Sequence, residues 1–331
     1  MILLPPKLVV AAPATLAVLD PAGRLVAGAT VELSSGEKVT TDATGRAEFL
    51  APDTPGVLLA NIPARKIDAS TTVLLSPSAL ASASPENPPE GVRIFSYPHF
   101  LAIHDRFTVE GTGFRGKADD DRVFLADQQC LVLASSPLSM VVLPGPHTPI
   151  GQADLLVTVA GRGPGPDPVT LVLPEVSGPA ESMTVGQKGT LTVALLGTDQ
   201  RLVVEVHNFS PKLVDLARGN VQRVTTSGGA RNIAQIEMAC LAAGDYTIAV
   251  RLIPSAAGLP DMETARQKLL AARAIAPADW QARVDAVIHH IERNPQDIAR
   301  IRAELERLLA AKPDGQFSQL LNSAWEELMK N

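Results

Sequence analysis

Residues 107–114 read FTVEGTGF, and the pattern of this stretch indicates the fold of the chain around it. Phe107 and Val109 alternate with Thr108 and Glu110, which is the period-two pattern of a strand with one buried and one solvated face. The two glycines that follow permit a bend that a Cβ atom would hinder. We therefore expect Phe107 and Val109 to face a core, and Thr108 and Glu110 to face solvent.

The sequence on either side of this stretch continues the β pattern. A Tyr-Pro pair precedes it, and the apolar runs that follow it lie at residues 123–125, 130–133 and 140–143. In this order the residues resemble an IPT/TIG domain, a bacterial immunoglobulin-like module, over residues 92–174. The resemblance implies a β-sandwich, and it says more about architecture than about function.

An earlier β pattern occupies residues 1–84. Its turn signals are DPAG at residues 20–23 and DATG at residues 42–45, which have the chemistry of β-turns. The run resembles bacterial Ig-like and carboxypeptidase-regulatory-like domains, and the matching residues are Gly23, Val26, Gly28, Ala29, Val31, Thr41, Asp42, Gly45 and Phe49. This resemblance implies a fold and carries no catalytic residue.

A third alternating pattern runs to about residue 254, after which the apolar period changes from 2 to 3.6. In the third pattern, the residues expected on the inward face of the last strand are Tyr246, Ile248, Val250 and Leu252. We therefore predict a mainly β fold, with three tandem immunoglobulin-like β-sandwiches followed by an α-helical hairpin or bundle. The four segments are residues 1–84, 85–174, 175–256 and 257–331, and the Ser/Pro/Ala-rich residues 76–91 predict a linker.

Composition excludes several classes of protein. The 331 residues carry a formal net charge of -6 without a basic block, so no nucleic-acid partner is expected. No apolar run reaches the length of about 18 residues that a membrane span needs. The N-terminus is apolar but lacks a basic region, so the chain either stays in the cytosol or has lost a signal peptide. The two cysteines, Cys130 and Cys240, are expected to be buried free thiols.

Three consecutive acidic residues are the candidate metal ligands, and they are Asp119, Asp120 and Asp121. With Asp127 nearby, they offer oxygen atoms of the kind that calcium prefers. The D-x-D-x-D-G spacing of a dedicated calcium loop is missing, so a solvated loop is favoured and no cofactor is expected.

Two sets of residues that include histidine are candidates for a metal site or a catalytic triad. His289 and His290, with Glu292, lie on a predicted helix, but neighbouring helical residues point about 100° apart and do not readily share an ion. A second set supplies the residue types of a hydrolase triad at His207, Asp215 and Ser227. No G-x-S-x-G turn accompanies that set. We therefore expect the chain not to be an enzyme.

Aromatic platforms for sugar binding are scarce in this sequence. Both tryptophans fall on helical stripes, and Tyr246 is expected to face inward. An exposed aromatic patch is expected only from Tyr97, with His99 and Phe100 beside it. A carbohydrate-binding module is therefore disfavoured.

The resemblances to the IPT/TIG and carboxypeptidase-regulatory-like domains imply a non-catalytic secreted or cell-envelope bacterial protein that acts as a modular binding or adhesion scaffold. Its partner would be another protein or a cell surface, and residues 257–331 would serve docking or self-association. One alternative is a structural subunit of a phage-like or tail-like assembly, built in the cytoplasm. Another is an accessory region of an extracellular enzyme. The expected location is extracellular or periplasmic for all but the structural subunit.

Overall fold

The computed structural model describes residues 1–63, 68–74, 91–179, 182–253, 256–257, 262–293, 298–311, 313 and 315–328. The linker predicted at residues 76–91 lies outside the described residues except for Gly91. The described chain is mainly β, with four helices at its C-terminal end, as predicted.

The first sandwich contains eight strands, which are β1 (Ile2–Leu3), β2 (Lys7–Val9), β3 (Pro13–Val18), β4 (Thr30–Leu33), β5 (Lys38–Thr40), β6 (Arg46–Leu50), β7 (Gly56–Asn61) and β8 (Ala69–Leu74). One sheet holds β1, β3 and β6, and the other has the order β2-β8-β7-β4-β5. The turn before β6 forms because the Asp42 carboxylate accepts the N–H groups of Thr44 and Arg46. Gly45 then takes a positive φ of 74°, which favours glycine.

The second sandwich contains nine strands, which are β9 (Arg93–Pro98), β10 (Phe100–Ala102), β11 (Phe107–Thr112), β12 (Asp121–Leu125), β13 (Gln128–Gln129), β14 (Leu131–Ser135), β15 (Ser139–Leu143), β16 (Gly151–Val159) and β17 (Asp167–Ser177). The sheet β14-β15-β11-β9 faces the sheet β13-β12-β16-β17, and β10 pairs in parallel with β17. Phe107 and Val109 are buried in the core between the sheets, as predicted.

The prediction that Glu110 faces solvent is wrong. Glu110 does lie on the opposite face of β11 from Phe107, but that face is covered by the first sandwich. Its carboxylate lies 3.0 Å from Nζ of Lys7, and both side chains are about nine-tenths buried. The alternating pattern correctly predicts on which face of β11 Glu110 lies, but it carries no information on the neighbouring sandwich that covers this face.

The third sandwich contains six further strands, which are β18 (Lys188–Leu196), β19 (Val203–Asn208), β20 (Val214–Leu216), β21 (Val221–Thr225), β22 (Ile233–Cys240) and β23 (Ile248–Leu252). The sheet β21-β19-β23 faces the strands β18, β22 and β20. Ile248, Val250 and Leu252 pack in the core, as predicted. Tyr246 is exposed, contrary to prediction, because β23 begins only at Ile248 and Tyr246 lies before the strand.

Backbone hydrogen bonding continues from one sandwich to the next. Thr15 of β3 pairs with Ser135 of β14, so the first two sandwiches share an eight-stranded sheet. The long strand β17 pairs with β16 through its first half and with β18 through its second half. The short strand β24 (Ala256–Ala257) then returns to pair with β9. The three sandwiches are therefore joined by shared sheets as well as by the chain itself.

Four helices follow, and they are α1 (Met262–Ile275), α2 (Ala278–Arg293), α3 (Ile298–Ala310) and α4 (Gly315–Leu328). We call them the helical bundle. Their apolar stripes meet in one core, and the half-buried Val57 of β7 packs against it. Helix α1 contacts β7 and β8, so the bundle covers the outer face of the first sandwich. No helix in the described part of the chain has the length and hydropathy of a membrane-spanning segment.

Candidate functional site

The outer face of the sheet β21-β19-β23 is the candidate site. Val204, Val206 and Val250 point into the core of the third sandwich. The residues between them in each strand therefore point outward, because side chains alternate along a strand. We call this surface the outer face, and its residues are Val203, Glu205, His207, Val221, Arg223, Thr225, Ala249 and Arg251.

Glu205 lies at the centre of the outer face, and its side chain is only 6% exposed. Arg223 of β21 and Arg251 of β23 are its cross-strand neighbours, and their guanidinium groups lie 2.9 Å and 2.7 Å from its carboxylate. Nε2 of His207 lies 2.7 Å from the same carboxylate. Burial acts to raise the pKa of Glu205, but the hydrogen bonds of His207, Arg223 and Arg251 outweigh it and hold the pKa at about 2.

The two arginines remain accessible while Glu205 does not. Their side chains are 47% and 53% exposed. The outer face carries two guanidinium groups and one carboxylate, so its formal charge is positive on a chain whose net charge is -6. Solvent and any ligand therefore meet the arginines rather than the carboxylate, and the outer face favours an anionic group.

An apolar patch adjoins these charges. Phe209 is 65% exposed, and its ring stacks on His207 with a centroid separation of 6.0 Å and an interplanar angle of 17°. Val221, which is 57% exposed, is the cross-strand neighbour of His207. Aromatic and arginine side chains side by side are the composition that protein interfaces favour.

The acidic loop of the second sandwich has structural partners. The exposed Asp119 pairs with Arg46 of the first sandwich at 2.7 Å, whereas Asp121 is buried and Asp120 and Asp127 are exposed. Within the described residues, no three His, Cys, Asp or Glu side chains come together as metal ligands.

Asp121 is held by a short network. Its Oδ1 accepts the N–H of Arg115 at 2.9 Å, and its Oδ2 lies 2.6 Å from Oγ of Ser135. The same Oγ lies 2.6 Å from the carbonyl oxygen of Arg115. One hydroxyl hydrogen cannot serve both acceptors, so a protonated Asp121 completes the network by donating to Ser135. Burial raises the pKa of Asp121 to about 7, and the hydrogen bonds offset only part of this effect.

The two histidine patterns do not assemble in the structure. His289 contacts the carbonyl oxygen of Asp285 in its own helix, whereas His290 contacts Glu304 of α3 at 3.1 Å. In the triad set, Oγ of Ser227 donates to the carbonyl oxygen of Arg231 at 2.8 Å. His207 faces Glu205 instead.

The prediction of an exposed aromatic patch around Tyr97 is wrong. Tyr97 packs against the core of the second sandwich and Phe100 against the core of the third, and both are half-buried. His99 meets Tyr97 edge-on, with ring centroids 5.1 Å apart. The exposed aromatic residue beside a charged cluster is instead Phe209, which the sequence reading did not select. Cys130 and Cys240 are free thiols, as predicted, but only Cys130 is buried, whereas Cys240 is half-buried.

A family model described as the IPT/TIG domain matches residues 95–172, which confirms the identification of the second sandwich. The sandwich architecture of residues 2–74 agrees with the Ig-like resemblance of the first segment. No curated protein matches the chain.

Several solved structures are similar to parts of the chain. One is the surface protein SGBP-B of the Bacteroides ovatus mixed-linkage glucan utilization locus, in complex with a heptasaccharide, at 9% identity and a TM-score of 0.26, covering 74% of this chain and 73% of that one. Another is the full extracellular region of plexin A4, at 12% identity and a TM-score of 0.30, covering 76% and 33%. Domains 4 and 5 of the S-layer protein SbsC match at 16% identity and a TM-score of 0.17, covering 50% and 95%. With TM-scores this low, none of these likenesses bears on what this chain binds.

Proposed function

We propose that this chain, whose residues 95–172 are an IPT/TIG domain, is a non-catalytic binding scaffold and that the outer face of the third sandwich is its binding surface. The observation that carries the proposal is the juxtaposition of the half-exposed Arg223 and Arg251 with the exposed Phe209 at the outer face. A surface of this composition suits a protein partner, because arginine and aromatic side chains contribute most to protein interfaces.

In this proposal the first sandwich and the helical bundle support the binding surface rather than form it. They lie at the opposite end of the shared sheets from the third sandwich, and the bundle covers the outer face of β7 and β8. The scaffold therefore presents the outer face at a fixed distance from the bundle. Self-association of the bundle stays a prediction from the sequence.

The proposed location is the cell envelope or the extracellular space, with the cytoplasm as the alternative for a structural subunit. Fractionation of cells that express the chain tests this part. Recovery in the envelope or the medium supports the scaffold, whereas recovery in the cytosol as a large assembly supports the subunit of a phage-like particle.

Site-specific photocrosslinking tests the binding surface. A benzoylphenylalanine in place of Phe209 is compared with one in place of Phe95, which is 63% exposed on the second sandwich. Because both positions carry an exposed phenylalanine, solvent access is matched. We expect a discrete protein adduct from position 209 and none from position 95. Equal labelling at both positions, or no adduct from either, would contradict the proposal, and an adduct of two copies of this chain would favour the structural subunit.

A further inference from the structure

Strand β21 forms one end of its sheet, and no strand among the described residues pairs with its outward side. Asn208 donates its N–H to the carbonyl of Asn220 at 2.7 Å, and Thr226 donates to the carbonyl of Leu202 at 2.9 Å. These bonds fix the even-numbered residues of β21 as the ones that hydrogen bond to β19. The N–H and C=O groups of Val221, Arg223 and Thr225 therefore point away from the sheet.

Apart from the charge of Arg223, the described residues of this edge lack the features that usually protect such strands. Proteins protect edges by charged side chains, proline, bulges, very short strands or a covering segment. Strand β21 has five residues in regular register with β19, no proline and no lysine. Of the end strands of the other sheets, β5, β13 and β20 have two or three residues each, whereas β6, which pairs only with β3, has five. In the described part of the chain, β21 pairs with no strand other than β19.

A second copy of this chain is a poor occupant of the edge. An antiparallel pairing of β21 with itself over all five residues would place Arg223 directly opposite Arg223. Like charges at directly opposed positions destabilise a strand pair. A partner with a carboxylate opposite Arg223 instead gains an ion pair, because Arg223 binds Glu205 through Nε and its side chain is still 47% exposed.

We propose that β21 is a docking edge, to which an extended acidic segment of a partner protein adds as a further strand. The inference rests on the proposed function and names its partner chemistry. The segment would carry an apolar side chain next to Val221 and Phe209, a carboxylate next to Arg223, and a small polar or β-branched side chain next to Thr225. Backbone hydrogen bonds to the three outward residues supply affinity, and the alternate side chains supply specificity.

A defined peptide tests this inference. The probe is a short peptide with blocked ends, in which serine residues separate a threonine, a glutamate and a valine, in that order. In antiparallel pairing with β21, these three side chains lie next to Thr225, Arg223 and Val221. A control peptide has lysine in place of glutamate. Titration into the labelled full chain, followed by amide resonances, is expected to shift the N–H signals of Val221, Arg223 and Thr225. The glutamate peptide is expected to bind at least about tenfold more tightly than the lysine peptide.

Two variants at one position separate strand addition from side-chain contact. Thr225→Pro removes an outward N–H without removing a bond to β19, whereas Thr225→Val keeps that N–H. We expect Thr225→Pro to weaken peptide binding about tenfold or more and Thr225→Val to leave it within about twofold. If Thr225→Pro does not fold, Val221→Pro, with Val221→Thr as its control, makes the same comparison.

The outcomes separate the two proposals. Equal binding of the two peptides, equal binding by the proline and valine variants, or no binding at all would overturn strand addition. If the crosslink from position 209 also persists in Thr225→Pro, the outer face still binds a partner, but not by adding a strand to β21. If no adduct forms at position 209 either, the proposed function fails as well.

Discussion

At the scale of single residues, Asp121 is the group whose ionisation state the fold controls most directly. Its pKa of about 7 stands well above the ordinary carboxyl value of 3.8 because the side chain is buried. A raised carboxyl pKa favours the native state at low pH. Stability is therefore lost as the pH rises from about 4 to about 7, and the full effect corresponds to about 4 kcal/mol.

Asp121→Asn tests this account. The amide can accept from the N–H of Arg115 and donate to Ser135, as a protonated carboxyl does, and it does not ionise. We expect the variant to be more stable than the native chain at about pH 8, by about 2–4 kcal/mol, and the difference to shrink toward pH 4. The measurement is denaturant unfolding at each pH, and hydrogen exchange of the β11 and β15 amides is measured as well. A variant that is less stable at pH 8 would show that Asp121 is ionised and favourably paired.

The pKa of Glu205 is shifted in the opposite direction from that of Asp121. Its pKa is lowered to about 2, so its contribution to stability is present above about pH 4.5 and is lost as the pH falls toward 2. We expect Glu205→Gln to destabilise the third sandwich by about 1–3 kcal/mol at neutral pH, because two half-exposed arginines lose their counter-charge. The two chains should converge near pH 2. The exposed Glu237→Gln is the control on β22, and an equal loss from both variants would contradict the account.

At the scale of elements, Gly116 fixes the junction of the first two sandwiches. The hydroxyl of Thr15 donates to the carbonyl of Gly116 at 2.6 Å, and a Cβ atom on Gly116 would lie 1.9 Å from the carbonyl oxygen of Pro13. We expect Gly116→Ala to lower the free energy of unfolding by about 1–3 kcal/mol, since backbone must move. Gly165→Ala is the control because nothing lies within 4 Å of the added atom. Matching melting curves for the two variants would mean that the junction is looser than described.

Some elements of the fold could be predicted from local patterns in the sequence. Alternation identified the inward faces of β11 and β23, and the 3.6 period identified the helical bundle, because both patterns are local. The burial of Glu110 depends on packing against Lys7 of the first sandwich, 103 residues away in the chain. The cluster around Glu205 depends on the register of β21 and β23 with β19. A single sequence does not encode that register in a readable form. The alternation in VVEVHN places Glu205 and His207 on one face, but it gives no sign of Arg223 or Arg251 beside them.

At the scale of the whole molecule, the helical bundle is coupled to the first sandwich. Because the sequence divides into four segments, the three sandwiches are expected to stay folded when residues 257–331 are removed. We keep that expectation for the second and third sandwiches. For the first, removal uncovers Val57 and the fully buried Thr72, so we expect its amides in β7 and β8 to exchange faster. Unchanged protection of these amides in a chain that ends at residue 256 would mean that the bundle contributes no stability there.

The central claim is that shared sheets hold the outer face of the third sandwich at a fixed distance from the first sandwich. Pulsed electron spin resonance between labels at the exposed Lys38 and Lys212 measures this distance directly, in a chain with Cys240→Ser. A label pair at Gln200 and Lys212, inside the third sandwich, gives the width of a rigid reference. The account predicts one distance peak about as narrow as the reference, whereas a broad or multiple distribution would contradict it.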